Sequence, residues 1–310
     1  MEEINLLNKA KEIEELAQKA EYKLNSPYVT SNIYGFGKHL KEYGFFLDSL
    51  PICIYMDHGI TFADKIPPHE INNDAPSMFK FSPRLVKIYK SVSTKPCYTL
   101  PSPYVFFRKK RKITISVHAE GTVVFPAHST PDVDNLTNWE EYVRELNQLP
   151  VEYKPLTICL HETDIKKGLH KFFLSKGFEV KTAGAIMDTR FTERFYDILR
   201  QHKYSISNLI GSYAFYSVEM GIQFTLYGKG PAYFNRNDPN IEKGNYTSYE
   251  TDTYNYAKVL FSGFQYKITS EQKKFVEYEL GLTEGIGRVK TALLLYKSFF
   301  IYWKRNRSVH

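Results

Sequence analysis

Three short segments combine groups suited to an anionic ligand: FPAHSTPDVD (125–134), LHETD (160–164) and SISNLIGSYAFYSVEMG (205–221). Each sets polar residues directly after an apolar run: His128, Ser129 and Thr130; His161, Glu162, Thr163 and Asp164; Gly211, Ser212 and Tyr213. Hydroxyls and N–H groups at a helix start satisfy phosphate oxygens, and an imidazole adds a donor that can be cationic beside a diphosphate or a sugar carboxylate. Glu219, on an otherwise apolar helix, is expensive to bury unless it accepts hydrogen bonds, for which the two hydroxyls of a ribose are suitable. Arg190, in MDTRF, is a weaker candidate for the leaving-group side, since most such arginines make surface pairs. Asp57 and His58, after the apolar run ICIYM, are placed to deprotonate an attacking hydroxyl. Either could be the base: imidazole needs little tuning near neutral pH, whereas an aspartate needs a raised pKa or a well-placed acceptor. A plain D-H-G turn is the competing reading.

These residues need elements that gather them. From Lys112 onward, ITISV and TVVFPAHS read as strands, NWEEYVRELNQL as a helix opened by Thr137 or Asn138, and LTICLHE as a buried strand. A helix over IKKGLHKFFLSKG ends at Gly177, followed by the strand FEVKTAG, the helix FTERFYDILRQH and the strand YSISNLIGS. The apolar helix carrying Glu219 then stops at Gly221, and IQFTLYG returns as a strand. This alternation predicts an α/β fold with a parallel sheet and helices on both faces, where ligands bind beyond the carboxyl ends of the strands. Between residues 45 and 110, the runs FFLDSLPICIYM, KPCYTL and YVFF suggest the strands and connecting helices of a smaller α/β unit. RKKRK (108–112) closes it, either as a solvated face or as an attractor of phosphate.

At the N-terminus, Leu6, Ala10, Ile13, Ala17, Ala20 and Leu24 make the apolar stripe of a helix expected to pack on its own domain. Near the other end, Thr269 and Gln272 have capping-box spacing before a helix that stops near Gly281. The segment TALLLYKSFFIYWKRNRSVH then forms a second helix ending in Lys304, Arg305 and Arg307, which either packs back on the first domain or lies at a membrane interface. The expected organisation is residues 1–112, 113–268 and 269–310.

Composition excludes several classes. The chain has 310 residues, 43% of them apolar, and 41 Lys and Arg against 34 Asp and Glu, so its partners are expected to be anionic small molecules or acidic surfaces, with nucleic acid a poorer fit. Three scattered cysteines make no disulfide framework or zinc knuckle and suit a reducing cytoplasm. The chain reads as neither secreted nor membrane-spanning. Asp132 and Asp134 form a D-x-D pair of the kind that holds a divalent metal, but PDVDN before a helix is more simply a turn, and no metal or other cofactor is expected. GFG at Gly35 to Gly37 lacks the third glycine of a dinucleotide fingerprint.

The succession GTVVFPAHST, LTICLHETDIKKG, GFEVKTAG and SISNLIGSYAFYSVEMGIQFTLYG resembles the donor-binding half of GT-B glycosyltransferases of bacterial surface-polysaccharide synthesis, over about residues 50–265. The resemblance implies two Rossmann-like domains facing a cleft, the first one small. It also implies a nucleotide-sugar donor on the C-terminal domain, a glycan or lipid-linked acceptor on the other, and no metal. In the sialyltransferase-like members an acid-glycine pair supplies the base, and histidine and serine motifs meet the phosphate. Asp57-His58-Gly59 looks like the first, His128 or His161 the second, and Ser212 the third. The histidines lack the following proline, the serine is single, and His58 stands where another acid is common. A polyol-phosphate transferase, or a non-catalytic nucleotide- or glycan-binding protein on the same scaffold, is the alternative. Either enzyme would work in the cytoplasm, with the basic C-terminus in contact with the membrane's inner face.

Overall fold

Short runs rich in Val, Ile, Thr and aromatic residues form strands when buried on both faces, and parallel pairing obliges the chain to cross over between them, usually through a helix. The computed structural model describes residues 2–20, 26–239, 241–247 and 250–307. Along the first part run α1 (Glu2–Gln18), α2 (Phe36–Tyr43), β1 (Tyr55–Met56), α3 (Pro68–Asn72), β2 (Met78–Lys80), α4 (Pro83–Val92), β3 (Cys97–Thr99) and α5 (Pro103–Lys110). There follow β4 (Thr122–Val124), β5 (Val133–Asn135), α6 (Trp139–Asn147), β6 (Leu156–Cys159), α7 (Glu162–Lys166), α8 (Leu169–Ser175), β7 (Glu179–Lys181) and α9 (Phe191–Leu199). The last part holds β8 (Tyr204–Ser207), α10 (Ser212–Met220), β9 (Gln223–Leu226), β10 (Ala232–Asn235), β11 (Gly244–Thr247), α11 (Asp252–Phe261), α12 (Ser270–Glu279) and α13 (Arg288–Arg307).

The chain divides into two compact units, one of Met1–Lys19, Thr114–Ala185 and Glu193–Gln272, the other of Ala20–Ile113, Ile186–Thr192 and Lys273–His310. The first is built on a five-stranded parallel sheet in the order β7-β6-β4-β8-β9. Counted along the chain this is 3-2-1-4-5, so the direction of winding reverses between β4 and β8, where Val123 lies opposite Ser205. Such a reversal opens a crevice above the strand ends. Beside this sheet, β5, β10 and β11 pair antiparallel, and the Tyr233 and Tyr246 rings stack at 5.3 Å.

The core of this unit joins Val124, Ile158 and Ile206 of the sheet to Tyr142 and Leu146 of α6 and Phe173 of α8. Ala10, Ile13 and Ala17 belong to the same core, so α1 packs on α7 and α8. Glu14 fixes that placement by pairing with His170 and Lys171. Leu6 and Ala20 are exposed, and Leu24 lies outside the described residues.

The other unit holds a three-stranded parallel sheet, β1-β2-β3, covered by α4 and by aromatic contacts such as Phe36 on Tyr104 at 4.5 Å. YVFF, which resembles a strand by its apolar run, is helical here: Pro103 presets the first turn, and Arg108, Lys109 and Lys110 meet the negative end of the helix dipole. ITISV likewise forms no strand, because Lys112 turns with φ 53° and Val117 is left exposed. The expected helix over IKKGLHKFFLSKG breaks into α7 and α8 at Gly168, whose φ of 84° no helix interior accepts.

The helix signals otherwise hold. Asn138 caps α6 by accepting from the Glu141 N–H, and Gly177 and Gly221 take the left-handed conformation at their helix ends. Thr269 and Gln272 bond reciprocally as a capping box, at 2.9 and 3.1 Å. Cys53, Cys97 and Cys159 are buried free thiols. Among the described residues no helix is long and apolar enough to cross a membrane.

Candidate functional site

The reversal point lies between β4 and β8, and the loops leaving β4, β6 and β8 meet there. Asn208 ties two of them together: its Oδ1 accepts from the Ala127 N–H at 2.9 Å, and its Nδ2 donates to the Lys229 carbonyl beyond β9 at 3.2 Å. Asn135 adds a second brace, donating to the Ala127 carbonyl at 2.6 Å. Buried amides are used here because loops that leave a sheet carry backbone groups that need partners.

On this frame His128 and His161, from neighbouring strand ends, stack with ring centroids 4.3 Å apart and planes 21° from parallel. His128 Nδ1 lies 2.8 Å from the Ser129 carbonyl oxygen, which only accepts, so in the neutral ring Nδ1 carries the proton and Nε2 offers a lone pair. His161 is the converse. Its Nδ1 accepts from the Thr163 N–H at 3.3 Å, so its proton sits on Nε2. Burial, and then the His128 ring stacked against it, hold the His161 imidazole well below its ordinary pKa and keep it neutral. The stacked pair therefore presents opposite tautomers, one acceptor and one donor.

The third loop brings the start of α10. Gly211 is its N-cap and has no side chain to occupy the first-turn N–H groups, which at a helix N-terminus also carry the positive end of the dipole. Tyr213 stacks on Phe125 at 4.9 Å, and its hydroxyl is held by the Leu209 carbonyl at 2.7 Å and the Ser207 hydroxyl at 2.8 Å. A Cβ on Gly211 would come within 2.8 Å of that locked ring. Tyr213 thus shapes the turn, and burial pushes its phenol above the ordinary range.

Asp164 is the residue that reading strand ends undervalues. It is 2% exposed; Oδ1 accepts from the Ser129 N–H at 3.0 Å, and Oδ2 completes no hydrogen bond among the described residues. Burial raises its pKa, with the Ser129 N–H and His128 pulling the other way. Tyr233 on β10 is 6% exposed, and burial first, with Asp164 among the neighbouring groups, raises its phenol above the ordinary range. A carboxyl raised by burial adds stability below its unfolded pKa and loses it as pH rises through the folded value. Asp164→Asn is therefore expected to be as stable as the wild type near pH 4 and equal or about 1–2 kcal/mol more stable at pH 7.5, checked by urea unfolding at both. A carboxylate kept at such a cost marks a candidate working group.

The remaining expected residues divide as follows. Ser129 is buried, and its hydroxyl accepts from the Asn135 N–H, so it builds the loop. Thr130 closes the turn to Val133, and its carbonyl receives Lys167 Nζ at 3.2 Å. Glu162 is buried and paired with Lys166 at 2.5 Å. Ser212 stands half-buried on the first turn of α10, and Glu219 half-buried near its far end, about 10 Å along the axis by helical rise, away from the meeting loops. Asp134 pairs with Lys167 at 2.6 Å and Arg236 at 3.3 Å, Lys167 first holding its carboxyl below the usual range, and no group of three metal-ligating side chains occurs among the described residues.

Asp57, His58 and Arg190 belong to the other unit. Asp57 follows β1 and is 6% exposed; Oδ1 pairs with Lys80 Nζ at 2.7 Å and Oδ2 accepts from the Phe81 N–H at 3.2 Å. Both oxygens are thus engaged, which opposes a role as base. Lys80 also pairs with Glu70. The loop after Asp57 is pinned by Arg84, which donates to the Thr61 and Ala63 carbonyls at 2.9 and 2.7 Å and meets Glu279. This leaves the His58 side chain exposed at the strand end. Arg190 is exposed in the turn before α9, its N–H bonded to Asp188. A cavity of about 330 Å³ lies against the edge strand β7, lined by Leu16, Thr182 and Arg194 among others, and touches none of the expected residues.

Compared with known proteins, the chain matches no family model and no curated protein by sequence.

Proposed function

We propose that the chain is a glycosyltransferase of the two-domain, GT-B-like kind. On this reading it moves a sugar from a nucleotide-linked donor, with CMP-linked donors slightly favoured, to a hydroxyl of a glycan or lipid-linked acceptor in surface-polysaccharide synthesis. The observation that carries the proposal is the stacked His128–His161 pair and the helix start at Gly211 on loops that leave adjacent strands at the reversal of strand order. Chemistry that expels a nucleotide phosphate needs donors aimed at the charge that develops, and on this reading the His161 imidazole and the positive N-terminal end of α10 supply them without a metal. His128 Nε2 accepts a ligand hydroxyl. His58, exposed at its strand end, takes the role of base in preference to Asp57, whose oxygens are occupied.

The second reading, a nucleotide- or glycan-binding protein without turnover, draws support from that occupied Asp57. Thermal-shift titration with CMP, UDP and GDP, followed by assays of donor hydrolysis and transfer, separates the two. The transferase reading expects a rise in Tm with one nucleotide and turnover that His58→Ala abolishes while binding persists. His128→Ala and His161→Ala are expected to weaken binding roughly ten- to a hundredfold, the size of one hydrogen bond to a charged group. Binding without turnover selects the second reading, and no shift with any nucleotide removes both.

A further inference from the structure

The last helix exposes an apolar face. α13 buries Thr291, Leu295 and Ser298, whereas Val289, Leu293, Phe300 and Trp303 are 70, 67, 59 and 44% exposed. At roughly 100° per residue, Val289, Leu293 and Phe300 fall within about 40° of each other, opposite the buried trio. Lys290, Lys297 and Lys304 repeat at seven-residue spacing along one flank of this pole, and Trp303 lies on the other. The helix carries six basic residues and no acidic one. Its surface continues into neighbouring parts of the same unit: the Arg288 guanidinium sits 3.9 Å from the ring of exposed Phe45 and 5.2 Å from Phe106, on the helix whose end presents Lys109 to Lys112. Glu42 interrupts it by pairing with Lys110.

We propose that this face docks on an anionic lipid surface. Val289, Leu293, Phe300 and Trp303 enter the boundary between headgroups and acyl chains, and the lysine flank meets the lipid phosphates. Apolar side chains at the centre of the solvent pole, lysines beside them and a tryptophan at the margin are what a helix lying in the plane of a bilayer requires. A second copy fits poorly, because the flank of Lys290, Lys297 and Lys304 would face another like it; anionic lipid complements it. The inference stands apart from the donor site.

The test uses the full chain with vesicles of phosphatidylcholine, alone or with about 30% phosphatidylserine, a content that gives the surface potential on which the lysines act. Binding is read by sedimentation and by the emission of Trp303 in a Trp139→Phe background. At least tenfold tighter binding to the anionic vesicles is expected, with a blue shift of Trp303. The double variant Leu293→Glu, Phe300→Glu is expected to abolish binding, and Lys290→Gln, Lys297→Gln, Lys304→Gln together to weaken it about a hundredfold at low salt. Because these side chains are exposed, the variants keep the wild-type Tm. Equal binding to both vesicles, no binding, or an unshifted Trp303 overturns the proposal. So does a lipid-free dimer that the Leu293 and Phe300 variant splits, which would give the face to a second copy.

Discussion

Replacing Lys80 with methionine is expected to destabilise the protein by about 3–5 kcal/mol, because it leaves buried Asp57 and half-buried Glu70 without the ammonium that both pair with. Lys80 is 1% exposed and Asp57 6%. Burial works against the Lys80 ammonium, yet the two carboxylates outweigh it and raise its pKa above the ordinary range. Glu70 differs: burial raises its pKa despite Lys80. A carboxyl shifted in that direction contributes stability below its unfolded pKa and loses it as pH rises, so Glu70→Gln is expected to be neutral or slightly stabilising at pH 7. Adding Asp57→Asn and Glu70→Gln to Lys80→Met should recover most of the loss, since the cost lies in unpaired charge rather than in packing. Urea unfolding of the single and triple variants measures this. A Lys80→Met protein within 1 kcal/mol of wild type would mean that Lys80 and Asp57 are not buried and paired as described.

Acid is expected to remove about 2.5 kcal/mol between pH 6 and pH 4 through His39 alone. This residue is 2% exposed on α2, its ring 4.5 Å from that of Phe107, and neither ring nitrogen has a hydrogen-bond partner among the described residues. Burial, then the nearby Lys38 and Arg111 charges, lower its pKa to about 3. The unfolded chain takes up a proton near pH 6.5 and the folded one resists until about 3, so stability is held above the unfolded pKa and lost as pH falls toward the folded one. His39→Phe keeps the ring contacts and removes two unsatisfied atoms. It should match or exceed wild type at pH 7 and lead by about 2–3 kcal/mol at pH 4, read from urea midpoints at both. An unchanged acid limb would place the acid sensitivity elsewhere.

The parallel sheet and its three loops were legible because their signals are local. Apolar runs at 122–124, 156–159 and 204–207, the Asn138 cap and the glycines at 177 and 221 each depend on a few neighbouring residues. Partners set by strand order were not. Lys80 stands 23 residues from Asp57, brought beside it by parallel pairing of β1 and β2, and nothing in MFKFSPR announces that pairing. Asn208 and Tyr233 reach the site from elements whose neighbours follow from the crossover alone. The amphipathic pattern of α1 shows which face is buried but not against what, and Glu14, His170 and Lys171 decided it. YVFF was misleading because an apolar run of four fits a strand or a buried helix, and Pro103 chose the helix.

On the proposed reading, the crest above β4, β6 and β8 holds a nucleotide between the two histidines and the start of α10. Nitrogen-15 NMR of the imidazoles tests it most directly, because it reads tautomer and contact together. Without ligand, His128 should show the Nδ1–H form and His161 the Nε2–H form. On titration with CMP, UDP or GDP, these two of the nine histidines should shift with saturating affinity. Unmoved signals from both, or the opposite tautomers in the free protein, would contradict the account.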